Sequence, residues 1–154
     1  MDLGDLLAPR GIFPAFEATT KKEALHGLSV QAGDLTGLDA RTIYDTLLQR
    51  ERLGSTGLGR GIAIPHVKLI GIDGIVSLFA RLARPIDFES PDGEPVDLIF
   101  VLLAPDHAGG DHLKALARIS RLVREPTALD RLRSAPDLAS LQHALTSPLT
   151  SHAA

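Results

Sequence analysis

One imidazole, that of His66, stands directly after the short apolar segment Gly61-Ile62-Ala63-Ile64-Pro65, behind a proline that fixes how the chain leaves a strand. This histidine is the residue expected to do chemistry. Upstream, Arg50-Glu51-Arg52-Leu53 runs into Gly54-Ser55-Thr56-Gly57-Leu58-Gly59-Arg60-Gly61, where four glycines fall within eight residues. Glycine-rich backbone lets N–H groups approach an anion closely. An unperturbed imidazole is mostly neutral at pH 7 and offers one lone pair for attack on phosphorus. The combination suggests a phosphoryl group carried on histidine.

By position alone, a single histidine after a strand is more often a hydrogen-bonded structural residue, so the surrounding string decides. Leu53-Gly-Ser-Thr-Gly-Leu-Gly-Arg-Gly-Ile-Ala-Ile-Pro-His66, with Arg50 before it, resembles the active-site signature of enzyme IIA components of the phosphoenolpyruvate-dependent phosphotransferase system. The similarity is to the mannitol/fructose/nitrogen-regulatory superfamily, nearest its nitrogen-related branch. It continues through Pro85-Ile86-Asp87-Phe88, then Pro95 to Pro105, then Asp111-His112-Leu113.

The resemblance implies roles for His66, His112 and Arg50, beside which Ser55 and Thr56 are further candidates. His66 is the nucleophile through Nε2, with Nδ1–H held by a backbone carbonyl. His112 is the second histidine, which hydrogen-bonds the incoming phosphoryl group. Arg50 is the active-site arginine, whose planar fork of donors suits phosphate oxygens and keeps its charge. Ser55 and Thr56 are candidate phosphate-binding hydroxyls, although turn chemistry explains them nearly as well. Val67 follows the histidine where the family usually has glycine. Its branched side chain is expected beside the imidazole, so that Val67→Gly should speed phosphorylation.

The function implied is that of a phosphohistidine carrier, a phosphotransferase component. It would accept a phosphoryl group from an HPr-like histidine phosphocarrier and act as a nitrogen-related regulatory IIA on target proteins. The alternatives are a fructose- or mannitol-type IIA feeding a IIB domain in sugar uptake, and a protein-binding module that has lost phosphotransfer. No cofactor and no metal are implied.

Other constellations carry less. The glycine loop lacks Gly-Lys-Ser/Thr and follows a helix instead of a strand, so it matches neither nucleotide fingerprint. Asp106-His107 and Asp111-His112 flank Gly109-Gly110, but their spacing fits no standard metal motif. His26, His143 and His152 read as residues without a chemical role. Arg118, Arg121, Arg124, Arg131 and Arg133 read as a solvated face, or secondarily as a dock for an acidic surface. A net charge of −3, with no aromatic residues among those arginines, argues against nucleic acid.

With 154 residues the chain fits one domain, expected over 1–146, with a flexible tail over 147–154. The absence of cysteine excludes disulfides, thiol catalysis and cysteine-ligated metal. The longest strongly apolar run, Leu98 to Ala104, is far short of a membrane helix, and the N-terminus lacks a basic region and apolar signal core. A cytoplasmic location without membrane insertion is expected.

The elements that must hold these residues follow from periodicity. Thr20-Lys-Lys-Glu23 is a capping box for a helix with Ala24, Leu25 and Leu28 inward, ending at Gly33. A second helix starts near Asp39, has Ala40, Ile43, Tyr44 and Leu47 at helical spacing, and stops at Gly54, placing Arg50 in its last turns facing the loop. Ile75 to Leu82 alternates as a half-buried strand, and Leu98 to Leu103 reads as a central strand buried on both faces. Asp111 caps a helix from His112 to Arg124, with Leu113, Leu116, Ala117, Ser120 and Val123 inward. Short helices follow over 127–133 and from Ser134 onward, the latter with Leu138, Leu141 and Leu145 inward. The class is α/β, a mixed central sheet flanked by helices as an α/β/α sandwich.

Overall fold

The computed structural model describes residues 3–146. The expected tail lies outside the described residues. A strand that periodicity does not reveal comes first: β1 (Leu7–Phe16), which carries Pro9, Gly11 and Pro14. It is an edge strand of the sheet, where a missing N–H wastes no ladder bond. The chain continues through α1 (Lys21–Thr36), α2 (Ala40–Arg52), β2 (Gly57–Gly59), β3 (Ile62–Ala63), β4 (His66–Leu69), β5 (Val76–Ile86) and β6 (Val96–Pro105). It ends in α3 (Gly110–Arg124), α4 (Pro126–Ser134) and α5 (Leu138–Thr146).

The sheet order is β1-β5-β6-β3-β2, with β4 also on β6. β1–β5, β3–β6 and β4–β6 are parallel, whereas β5–β6 and β2–β3 are antiparallel, so the sheet is mixed. Strand β6 runs through its middle and is buried on both faces as its apolar run requires. Leu98, Phe100 and Leu102 join one core with α3, α4 and α5, while Ile99, Val101 and Leu103 join the other with α1 and α2. The expected sandwich is therefore the fold.

Four local expectations need correction. Helix α1 runs through Gly33 for another turn and ends at Gly37, whose φ of 79° is left-handed and whose N–H bonds Gly33 O at 2.8 Å. At Gly33 a Cβ would stand 3.0 Å from Leu38 O, so that glycine serves the close return of the chain into α2. Strand β5 is buried on both faces over Ser77 to Ala80, because Phe79 packs toward α3–α5 while Leu78 and Ala80 pack toward α1–α2. The inward face of α3 is His112, Ala115, Ile119, Leu122 and, as expected, Val123; Leu113 is exposed, and the helix starts earlier, capped at Gly109. In α5, Leu141 and Leu145 are inward but Leu138 is exposed.

Two of the later arginines hold the assembly together instead of forming a solvated face. Arg118 pairs with Asp5, and Arg133 pairs with Asp97 at 2.9 Å while also bonding Arg60 O at 2.6 Å. Among the described residues no helix is long and apolar enough to cross a membrane.

Candidate functional site

Strands β3 and β4 lie end to end along one side of β6. Ile62 pairs with Leu98 and Ala63 with Ile99; His66 then pairs with Leu102 and Val67 with Leu103, at an unchanged offset. The N–H groups of Leu98 and Leu102 bond Gly61 O and Pro65 O. Carbonyls alternate along a strand, so that of Ile64, between these two, turns away from β6. It meets Nδ1 of His66 at 2.6 Å. Since a carbonyl only accepts, Nδ1 carries the proton of the neutral ring and Nε2 keeps the lone pair. This is the arrangement the resemblance implies for the nucleophile.

Helix α3 brings His112 against it, with ring centroids 5.7 Å apart and planes at 78°. Because the inward face of α3 differs from the sequence reading, His112 is not a solvated first-turn residue. It is 8% exposed, and its Nδ1 is buried without a hydrogen-bond partner. A buried N–H without an acceptor is costly, so the proton belongs on Nε2. Burial holds the pKa of His112 below the usual histidine value, and the neighbouring His66 and Lys68 push the same way. His112 is thus a neutral ring with one N–H to offer.

Arg50 lies in the last turn of α2, half-buried, with Nη1 donating to Gly54 O at 2.9 Å. It lines one cleft of about 660 Å³ with His66, His112, Lys68, Gln49 and Leu53. Three of the five expected site residues therefore share a cavity. Lys68 was not singled out from sequence, although it lies two residues after His66 on an alternating strand and so on the same face.

Ser55 and Thr56 are not brought to this cleft. Ser55 Oγ donates to Phe88 O at 2.7 Å and accepts from Gly57 N at 3.0 Å. The Thr56 hydroxyl donates to Oε2 of Glu51, and Thr56 N donates to Oε1 of the same carboxylate at 3.0 Å. Arg60 N donates to Asp92 Oδ2 at 2.9 Å. The N–H groups of Thr56, Gly57 and Arg60 are bound by the protein's own side chains and are not free for an anion. The loop's glycines answer a different need. Arg60 and Gly61 take φ of 57° and 82° at the centre of the β2–β3 hairpin, and a Cβ at Gly61 would fall 2.5 Å from Arg133 Nη2.

Val67 borders the same cleft as His66, but it is mostly buried. Alternation along β4 turns its side chain to the opposite face from the imidazole, where it is 7% exposed and packs in the α1–α2 core. Val67→Gly would open a cavity and loosen the strand, costing about 2–4 kcal/mol. We expect Val67→Gly to lower the melting temperature by roughly 5–15 °C and to leave phosphotransfer no faster, as differential scanning and a rate assay at a temperature where both proteins are folded would show.

The other histidines stand apart from the cleft. His26 packs edge-on against Tyr44 at 5.5 Å, and His107 Nδ1 lies 3.4 Å from Asp106. His152 lies outside the described residues. Among the described residues, no cluster of three or more His, Cys, Asp or Glu could hold a metal ion.

Comparison with known proteins gives a consistent neighbourhood. The family described as "Phosphoenolpyruvate-dependent sugar phosphotransferase system, EIIA 2" matches residues 5–147. A "Nitrogen regulatory protein" of Bradyrhizobium diazoefficiens is 52% identical over 148 residues, covering 96% of this chain and 97% of the relative. The crystal structure of the nitrogen regulatory protein IIA-Ntr from Neisseria meningitidis superposes with a TM-score of 0.88 at 32% identity, over 94% of this chain and 99% of that one. The IIA mannitol structure from Escherichia coli shares the fold, with a TM-score of 0.76 at 19% identity over 90% of this chain and 98% of that one.

Proposed function

The chain belongs to the EIIA 2 family of the phosphoenolpyruvate-dependent sugar phosphotransferase system, and from that membership we propose that it carries a phosphoryl group on Nε2 of His66. The donor is an HPr-like histidine phosphocarrier. The observation that carries this reading is the Nδ1 contact of His66 with Ile64 O at 2.6 Å, which leaves Nε2 unprotonated in a cleft shared with His112 and Arg50.

The step asks mainly for alignment and charge balance, because the transition state of phosphoryl transfer is loose. The donor's N–P bond breaks as the bond from His66 Nε2 to phosphorus forms, and the electron pair of the broken bond returns to the donor ring. Reacting atoms must come within about 3–3.5 Å. As the His66 ring gains positive charge, its Nδ1–H bond to Ile64 O strengthens. Arg50 presents two parallel donors to phosphoryl oxygens, and His112 offers Nε2–H to a third. Ser55 and Thr56 support the reaction by building the loop under His66.

The similarity to nitrogen regulatory proteins favours a regulatory IIA, acting in the cytoplasm on target proteins according to its phosphorylation state, over a transport IIA that feeds a IIB domain. The alternative of a binding module without phosphotransfer rests on Val67, which borders the cleft while its side chain packs in the α1–α2 core. Incubation with phosphoenolpyruvate, enzyme I and an HPr-like carrier should add one acid-labile, base-stable phosphoryl group, read by intact mass. Absence of any label with an active carrier would overturn the proposal.

A further inference from the structure

Arg50 borders the cleft, but its neighbour Glu51 turns inward, and its side chain is only 2% exposed. Burying a carboxylate is expensive unless it is paired and fully hydrogen-bonded. Here Oε1 accepts from Lys21 Nζ at 3.0 Å and from Thr56 N at 3.0 Å, and Oε2 accepts from the Thr56 hydroxyl. Lys21 is itself held, 4.7 Å above the Phe88 ring and 3.1 Å from Glu89. The next link is Thr56 O, which accepts from Ile64 N at 3.0 Å. The last is Ile64 O, which meets His66 Nδ1 at 2.6 Å.

We propose that Glu51 is a positioning residue for His66, acting through Thr56 and Ile64 to fix the imidazole's tautomer and its aim. The proposal rests on the phosphohistidine reading above. Glu51 touches neither the ring nor the cleft, so its effect is geometric. Strand β3 has only two residues, and at Ile64, where the pairing with β6 is interrupted, Thr56 O is what the amide meets. Removing the carboxylate would leave the Thr56 N–H and hydroxyl buried without acceptors. The segment would then shift to satisfy them, carrying the Ile64 amide and carbonyl with it. The carbonyl that dictates Nδ1–H would no longer be held in place, and transfer rates respond to displacements of about 1 Å.

Glu51→Ala and Glu51→Gln in the full chain separate this from general loosening. Glutamine can still accept from Thr56 N with its carbonyl oxygen and satisfy the hydroxyl with its amide, so it retains the local geometry while losing the charge on Lys21. In Glu51→Ala, imidazole ¹⁵N shifts of His66 should move from the Nδ1–H tautomer toward the Nε2–H form, and the phosphorylation rate should fall roughly 10–100-fold. Both readouts should recover most of the way in Glu51→Gln. If Glu51→Ala does not fold, Thr56→Val, which removes only the hydroxyl link, should show the same direction of tautomer change. Wild-type tautomer and rate in the folded Glu51→Ala protein, or in Thr56→Val where the alanine variant fails to fold, would overturn the role. Failure of the wild-type protein to take any label would instead overturn the phosphohistidine reading itself.

Discussion

His66→Gln should reduce phosphoryl incorporation to background, a loss on the order of 10⁵–10⁶ in rate if the ring is the nucleophile and nothing nearby replaces it. Glutamine is the informative substitution because its amide can still donate to Ile64 O, so β4 should keep its place on β6. Circular dichroism and melting temperature should then stay close to wild type while the label disappears. Among the described residues, His112 is the only other histidine that lines the cleft. His112 is buried with its accessible nitrogen protonated, and His26 packs against Tyr44 away from the cleft. Label surviving at wild-type level in His66→Gln would remove the central claim.

His112→Phe is expected to fold yet transfer phosphate about 10²–10³-fold more slowly, the usual effect of losing one donor aimed at developing charge. Phenylalanine fills most of the same buried space and leaves no orphaned Nδ1. The variant also has a pH signature. Because the folded state holds the pKa of His112 below its unfolded value near 6.5, the unfolded chain binds a proton that the folded chain refuses as pH falls through that value. Wild type therefore loses stability from this group below about pH 6.5, in the window down to its folded pKa. Phenylalanine has no proton to bind, so urea denaturation at pH 7 and pH 5 should show the variant gaining on wild type at the lower pH. Equal transfer rates would reduce His112 to a packing residue. A stability gap independent of pH would contradict its neutral, buried state.

What the sequence made legible follows from the strength of each local signal. Leu98 to Leu103 could only be a strand covered on both sides, and it stands as read; of the capping box, Thr20 caps Glu23 N, while the Glu23 carboxylate reaches back to Thr19. Strand β1 was hidden because Pro9, Gly11 and Pro14 break the alternation, and only an edge position in a finished sheet excuses them. The reading of helix α3 placed Leu116 and Val123 inward correctly but missed the first turn, because an apolar count favours Leu113 over His112 as the inward residue. The structure makes the opposite choice: Leu113 is 66% exposed beside the cleft.

The site itself was half legible. His66, His112 and Arg50 converge, but the hydroxyls of Ser55 and Thr56 find acceptors in Phe88 O and Glu51 that lie far along the chain or look like surface charge in a linear reading. Glu51 illustrates the difficulty. In an Arg-Glu-Arg run it reads as solvated, yet it continues the i, i+4 series of Ile43 and Leu47 and therefore points inward. Helical phase outweighs residue type at that position, and the charge is matched by Lys21.

The unchanged offset of β3 and β4 along β6 also bears on how such a chain can vary through descent. Removing or adding one residue between Ala63 and His66 would exchange the two faces of β4, sending the imidazole into the α1–α2 core and presenting valine to the cleft. Substitutions at Ile64 would at most disturb packing, because its contribution to the ring is a main-chain oxygen common to every amino acid. An indel scan across 63–66 should therefore be far less forgiving than a substitution scan.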